Sequence, residues 1–249
     1  MDANQSPDSP ESLLLPAVEI ETGAQPRYAV IWLHGRGGDG HDFEPIVDEF
    51  DLNRLPAIRF VFPHAPMRSV TINSGRMMRA WYDTLSLNVS QRREDAPGVR
   101  KSTQQIEALI ARENERGIAN EHIVLSGFSQ GGAIALHAGL RYPCRLAGII
   151  ALSAFVPLAD TLAAEMHAAN RDVPIFMAHG RDDGVIPYAY GERSGDLLRA
   201  QGYPMVWRSY FAKHTVCVEE LRDIETWLHE VLTGGYLTCD PEIFDGAPC

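Results

Sequence analysis

The sequence contains few cysteines, and their spacing does not suit a metal ion. The four cysteines are Cys144, Cys217, Cys239 and Cys249, and no two of them have the close spacing of a zinc-binding pair. Cys144 and Cys217 lie in apolar stretches, which predicts buried thiols. Cys239 and Cys249 lie in a polar tail, where they would pair only in an oxidising compartment. The sequence therefore predicts no metal site.

Positive charge and long apolar runs are also scarce. The chain has 22 Lys and Arg against 33 Asp and Glu, a net charge of −11, which argues against a nucleic-acid or anionic-membrane surface. No apolar run approaches the length of a membrane span. The first twenty residues have no basic segment, and Leu13-Leu14-Leu15 is too short for the apolar part of a signal peptide. We expect a cytoplasmic protein that binds no nucleic acid and does not insert stably into membranes.

Apolar strand-like runs alternate with helical patterns along most of the chain. This alternation is typical of the α/β class, with a mostly parallel central sheet flanked by helices on both faces. A length of 249 residues fits one large domain of this kind. The strand-like runs are residues 28–33, 58–62, 122–125, 146–152, 174–178 and 205–210.

The ends of the chain and one internal stretch depart from this alternation. Residues 1–22 are polar and rich in proline, which predicts a flexible N-terminal arm. Residues 23–233 form the predicted single domain, and residues 65–97 form an irregular insertion within it. Residues 234–249 form a C-terminal tail, which either packs on the body, contributes to a homodimer or is disordered.

The segment Gly127-Phe128-Ser129-Gln130-Gly131 is the strongest chemical signal in the sequence. It joins an apolar strand-like run to a helical pattern, as a nucleophile elbow does. The turn is so tight that only glycine fits beside the serine, and the hydroxyl is presented at the positive end of the following helix. Ser129 is therefore the predicted nucleophile.

A serine nucleophile needs a histidine base, and the base needs a carboxylate partner. The histidines that follow Ser129 are His137, His167, His179, His214 and His229. Of these, His214 lies between the last predicted strand and the last predicted helix, where a loop presents a base over the sheet edge. The carboxylate should follow the strand at 174–178, where Asp182 and Asp183 are adjacent and spacing alone does not separate them.

An oxyanion produced by serine attack needs backbone N–H donors. One donor comes from Gln130, the residue after the nucleophile. The other should come from the glycine-rich loop 34–40, which follows the first predicted strand. A phosphate-binding role for this loop is disfavoured, because no Gly-Lys-Ser/Thr follows it.

Several separated motifs resemble the phospholipase/carboxylesterase family of α/β-hydrolases, which includes bacterial carboxylesterases and acyl-protein thioesterases. The resemblance covers residues 29–232, and its motifs are residues 32–35, 40–43, 62–66, 70–73, 78–83 and 127–132. It implies an α/β-hydrolase fold, with Asp183 rather than Asp182 as the acid and His214 as the base. It also places the oxyanion donors at the backbone N–H groups of Arg36 and Gln130.

The sequence departs from the family pattern at two places. Arg36 stands where the family usually has a hydrophobic residue, typically leucine. Its guanidinium either points outward, pairs with Asp39 or Asp42, or selects substrates that bear a carboxylate or phosphate. Ala212-Lys213 replaces the family's Met-Gly before the base, a change that affects the reach of the loop carrying His214.

The insertion is rich in methionine and aromatic residues. Met77, Met78 and Trp81, with Met67, either line a groove for an acyl chain or pack as core beneath a loop. Arg79 and Asp83 are candidates for an ion pair that shapes the insertion.

Together these features predict a serine carboxylesterase that needs no cofactor. Its expected substrates are small-molecule acyl esters of short to medium chain length, cleaved through an acyl-enzyme intermediate. The alternatives are an acyl-protein thioesterase or lysophospholipase and, from another class, a hydrolase scaffold that binds without catalysis.

Overall fold

The computed structural model describes residues 13–86 and 94–235. Residues 1–12 of the predicted arm, residues 87–93 of the insertion and the tail from residue 236, with Cys239 and Cys249, lie outside the described residues.

A seven-stranded sheet forms the centre of the domain, in the order β1-β3-β2-β6-β7-β8-β9. All neighbouring strands are parallel except β1, which runs antiparallel to β3. The mostly parallel sheet predicted from the alternation is therefore confirmed. The strands are β1 (Ala17–Glu21), β2 (Tyr28–Leu33), β3 (Ile58–Pro63), β4 (Met67–Val70), β5 (Arg76–Arg79), β6 (Ile123–Phe128), β7 (Gly148–Leu152), β8 (Ile175–Gly180) and β9 (Met205–Tyr210).

Helices follow the strands as the predicted alternation requires. The α-helices are α1 (Ala96–Glu115), α2 (Gln130–Arg141), α3 (Ala159–Glu165), α4 (Tyr188–Ala200) and α5 (Val218–Thr233). Short 3-10 helices occur at Gly40–Asp42, Glu44–Glu49, Thr71–Asn73, Asn120–His122 and Ala168–Asn170. No helix in the described part of the chain is both long and apolar enough to span a membrane.

The core lies in two layers, one on each face of the sheet. Successive side chains of a strand point to opposite faces, so β2 contributes to both layers. Ile31 and Leu33 pack in the layer that contains the apolar faces of α1 and α2. Val30 and Trp32 pack in the layer that contains the apolar face of α5. The prediction of helices on both faces is confirmed.

The structure corrects the boundary of the N-terminal arm. Residues 17–21, which belong to the predicted flexible segment 1–22, form β1 at the sheet edge, with Val18 opposite Phe62 of β3. Glu21 of β1 pairs with Arg59 at 2.8 Å. Backbone pairing and this ion pair anchor a segment that its polar, proline-rich surroundings had suggested was free.

Two further expectations change. The insertion is not wholly irregular, because β4 and β5 form an antiparallel hairpin within it. Cys144 is exposed and Cys217 is half-buried, so the predicted burial of both thiols is wrong. Cys144 lies in the turn that follows α2, and a turn leaves its side chain at the surface.

Candidate active site

The predicted nucleophile elbow is present between β6 and α2. Ser129 has φ 55° and ψ −118°, a strained conformation for a residue with a side chain. Its backbone N–H donates to the Leu152 carbonyl at 2.8 Å, which ties the turn to β7. A Cβ atom on Gly127 would lie 2.4 Å from the Gly131 carbonyl carbon, and one on Gly131 would lie 2.3 Å from the Leu33 oxygen. The two glycines are therefore required by close backbone approach.

The three predicted triad residues lie together at the carboxyl ends of β6, β8 and β9. His214 Nε2 is 2.9 Å from Ser129 Oγ, and His214 Nδ1 is 2.6 Å from Asp183 Oδ2. The Phe128 ring packs against the imidazole, with ring centroids 4.7 Å apart. An imidazole held between a hydroxyl and a carboxylate can remove the serine proton and stabilise its own cationic form.

The neighbouring aspartates have different environments. Asp183 is buried, and its Oδ1 accepts the N–H groups of Val185 and Ile186, both at 2.8 Å. These bonds leave Oδ2 facing the imidazole of His214. Asp182 is exposed, and its backbone N–H donates to the Ala212 carbonyl at 3.0 Å. The last bond joins the acid loop to the base loop, so His214 lies within reach despite the Ala212-Lys213 departure.

His179 contacts Asp183, the predicted acid. It is fully buried, and its Nε2 lies 2.9 Å from the Ile186 oxygen and 3.3 Å from Asp183 Oδ2. Burial lowers the pKa of His179, which favours a neutral ring that donates from Nε2. This histidine positions the loop that carries Asp183 and does not touch Ser129.

Two backbone N–H groups are available beside the nucleophile. Those of Arg36 and Gln130 have no hydrogen-bond acceptor among residues 13–86 and 94–235, and both residues line the cavity that contains Ser129. The backbone around Arg36 is held in place by its neighbours. The His34 carbonyl accepts the Trp81 Nε1–H at 2.8 Å, and the Gly37 N–H donates to the Arg79 carbonyl at 2.8 Å. The placement suits an oxyanion site.

A cavity of about 340 Å³ opens onto Ser129 and His214. The side chains that give it an apolar wall are Phe128, Phe155, Val185, Ile186, Pro187 and Tyr190. A second cavity of about 380 Å³ adjoins it; Gly35, Arg36, Phe128 and His214 line both. Since His214 borders each cavity, the imidazole can serve an acyl group on one side and a leaving group on the other.

The predicted acyl-groove residues lie elsewhere. Trp81 is fully buried in the core, Met77 is 56% exposed, and Met78 is half-buried near Gly37. Neither these three residues nor Met67 lines either of the two cavities. The hairpin places Met77 toward solvent, while the Trp81 indole is held by the His34 carbonyl. The groove interpretation is therefore replaced by core packing for Trp81.

The predicted pairing of Arg79 with Asp83 is also absent among the described residues. Arg79 donates to the Ala65 carbonyl at 2.9 Å, and Asp83 accepts the Thr71 N–H at 2.8 Å. Arg79 thus shapes the insertion through a backbone carbonyl, and Asp83 through the N–H and the hydroxyl of Thr71.

Sequence reasoning missed the apolar wall of the cavity. Val185, Ile186 and Pro187 lie two to four residues after Asp183, and Phe155 follows β7. The rule that ligands bind at the carboxyl ends of parallel strands would have found both groups. Tyr190 lies in the first turn of α4, and no local signal distinguishes it.

Fold and site together define a serine hydrolase of the α/β-hydrolase fold. The model of one family, described as phospholipase/carboxylesterase, matches residues 16–232. The chain belongs to this family.

Similar proteins occur in fungi and plants. The chain is 40% identical over 228 residues to acyl-protein thioesterase 1 of Neurospora crassa, covering 88% of this chain and 91% of the relative. The corresponding protein of Yarrowia lipolytica is 36% identical over 219 residues, covering 86% and 96%. Among solved structures, Zea mays acyl-protein thioesterase 2 superposes with a TM-score of 0.77 at 26% identity, covering 87% and 99%. Arabidopsis thaliana SOBER1 gives a TM-score of 0.77 at 31% identity, covering 83% and 99%.

Proposed function

We propose that this hydrolase cleaves acyl thioesters and oxygen esters of short to medium chain length through a Ser129–His214–Asp183 triad. The observation that carries the proposal is the unbroken chain of contacts, 2.9 Å from Ser129 Oγ to His214 Nε2 and 2.6 Å from His214 Nδ1 to Asp183. Thioester cleavage is supported by the relatives named acyl-protein thioesterase. Oxygen-ester cleavage follows from the same acyl-enzyme chemistry.

In the proposed first half-reaction, Ser129 Oγ bonds to the acyl carbonyl carbon while its proton passes to His214 Nε2. Asp183 holds the ring in the required tautomer and stabilises the cation. The carbonyl oxygen becomes an oxyanion and is held by the N–H groups of Arg36 and Gln130. When the oxyanion collapses, the bond to the leaving group breaks, and His214 gives its proton to the departing sulfur or oxygen.

In the second half-reaction, His214 removes a proton from water, and the water oxygen bonds to the acyl carbon. Collapse of the second oxyanion breaks the bond to Ser129, whose oxygen recovers a proton from His214. The carboxylic acid product leaves, and the triad returns to its starting state. The residues carry out every proton transfer themselves.

A matched substrate panel tests the proposal. Each acyl chain, from four to sixteen carbons, is offered once as a thioester and once as an oxygen ester, and kcat/KM is measured for both. We expect turnover of both series, with the thioesters favoured and a decline as the chain outgrows the cavity. A preference for long-chain phospholipid esters would instead assign a lysophospholipase.

Ser129→Ala provides the decisive control. By analogy with other triads, its kcat should fall by roughly a million-fold. A fluorophosphonate probe should label the native protein at Ser129 and leave the variant unlabelled. A folded native protein that neither turns over any ester nor reacts with the probe would establish the non-catalytic binding scaffold. The cytoplasmic location, the independence from cofactors and the homodimer stay predictions.

A further inference from the structure

The Arg36 side chain lies where the two cavities meet. Its backbone N–H is one of the two proposed oxyanion donors. The guanidinium is therefore separated from the reacting carbonyl by about the length of one arginine side chain. The residue is half-buried and lines both cavities. Burial lowers the pKa of Arg36, but an arginine remains charged at neutral pH.

This cation has no carboxylate partner in the part of the chain that the structure describes. Its Nη1 donates to Thr84 Oγ1 at 3.1 Å, a neutral acceptor. The two acids considered from the sequence do not pair with it: Asp39 instead accepts the His41 N–H at 2.8 Å, and Asp42 forms no ion pair with Arg36 among the described residues. A half-buried guanidinium without a counter-ion can bind an anionic ligand group, because it carries further N–H donors in a fixed fork.

The two cavities differ in their suitability for an anion. Thr84, the partner that orients the guanidinium, lines the cavity that contains Ser129 and not the second cavity. The second cavity is lined by Asp42, whose carboxylate repels an anion, and by Thr215 and Val216, which follow the base His214. An anionic ligand group is therefore favoured on the Ser129 side, and the second cavity suits a neutral leaving group.

We propose that Arg36 selects acyl groups that carry a carboxylate a few carbon atoms from the ester carbonyl, such as half-esters of short dicarboxylic acids. Its planar fork matches a carboxylate, which it can bind through two parallel hydrogen bonds. Arg36 carries the only permanent positive charge among the described residues that line this cavity, which suits a singly charged group. The inference rests on the proposed hydrolase function and adds a substrate class to it.

A set of isosteric esters tests the role of Arg36. Monoethyl succinate, glutarate and adipate are compared with ethyl esters in which an isopropyl group replaces the carboxylate. Ethanol release gives kcat/KM for each pair, and the result is the ratio of the charged to the neutral ester. We expect Arg36→Leu to lower this ratio by roughly 10- to 100-fold, because hydrogen bonds to a charged group typically contribute that much to binding. Arg36→Lys keeps the charge without the fork and should lower it less.

Matched controls separate a local effect from general electrostatics. Arg76 is exposed on β5 and lines neither of the two cavities, so Arg76→Leu should leave the ratio as it is. A reversed pair, the butanoate ester of 3-hydroxypropanoate against 3-methylbutyl butanoate, places the charge on the alcohol instead. Thermal melting shows whether each variant folds, and Arg36→Gln replaces Arg36→Leu if the latter does not.

The possible outcomes separate a failure of the role proposed for Arg36 from a failure of the proposed hydrolase function. If the ratio of charged to neutral ester were the same in the native protein and in Arg36→Leu, the role proposed for Arg36 would be overturned. Hydrolysis of the neutral esters by the native protein would still support the proposed hydrolase function. An effect of Arg36 confined to the alcohol series would also overturn the role proposed for Arg36. Loss of every ester activity in the native protein would contradict the proposed function itself.

Discussion

Two regions bordering the catalytic cavity are held in place by different means. The proposed triad residues lie in short loops after β6, β8 and β9, and parallel strands fix where those loops begin. Local contacts then complete the geometry, as when Asp183 Oδ1 accepts two N–H groups from its own loop. This region is determined by strand ends and by the few residues that follow them.

The insertion between β3 and α1 depends on partners far along the chain. The Gln130 side chain accepts the Trp81 N–H at 2.8 Å and donates to the Tyr82 carbonyl at 2.7 Å. The Trp81 indole donates to the His34 carbonyl at 2.8 Å. Gln130 thus belongs to both regions, because its backbone N–H lines the proposed oxyanion site and its side chain holds the insertion.

The contrast shows that the proposed triad is positioned mainly by strand ends and by contacts within short loops. The insertion is instead shaped by contacts between residues far apart in the sequence. A change in a strand-end loop should alter turnover and leave the fold intact. A change at a contact of the insertion should alter stability first.

Asp183→Asn should lower kcat by roughly ten thousand-fold, as loss of the carboxylate does in other triads. The asparagine amide, which replaces the carboxylate facing His214, no longer holds the imidazole in the tautomer that accepts the serine proton. Ester hydrolysis measures the loss, and the melting temperature should stay near that of the native protein.

Asp182→Asn is the matched control, because Asp182 is adjacent and exposed. It should retain near-native turnover. Equal losses in the two variants would mean that the loop, rather than the carboxylate facing His214, determines activity.

The sequence was informative about the strand-end loops for the same physical reason. A Gly-x-Ser-x-Gly turn and a histidine after the last strand are local patterns, and parallel strands bring their ends to one edge. Asp183 could be separated from Asp182 only by the family resemblance, because the two hydrogen bonds from Val185 and Ile186 are a feature of the folded loop.

The sequence was much less informative about the edge strand and the insertion. β1 forms because it pairs with a strand about forty residues away, and its own composition resembles an arm. Trp81 and Met77 look alike as apolar residues of one loop. Their different burial depends on contacts with His34 and Gln130, which no local spacing reports.

Trp81→Ala should lower the free energy of unfolding by about 3–5 kcal/mol, the usual cost of removing a large buried side chain. The variant also leaves the His34 carbonyl without its indole donor. Met77→Ala removes a mostly exposed side chain and should change the free energy of unfolding by less than about 0.5 kcal/mol. Urea denaturation measures both variants. A shift in acyl-chain preference in Met77→Ala, with no change in stability, would revive the groove interpretation.

The helix that follows the base loop carries a buried carboxyl group. Glu220, in the first turn of α5, is buried, and its Oε1 has no hydrogen-bond partner among the described residues. Burial raises the pKa of Glu220 to about 8. The native carboxyl therefore keeps a proton that the unfolded chain releases above its ordinary pKa of about 4.5.

Because the unfolded state binds fewer protons in this range, Glu220 should make the native protein less stable as the pH rises from about 4.5 to about 8. Glu220→Gln removes this titration, so it should raise the melting temperature at pH 8 and raise it much less at pH 5. A gain of each kcal/mol corresponds to roughly 2–4 °C in a chain of this size. Glu219→Gln is the control: Glu219 is exposed at the same helix N-terminus, where its charge is favourable, so that variant should lose stability slightly. An equal gain for Glu220→Gln at both pH values would show that packing, rather than the buried proton, limits this turn.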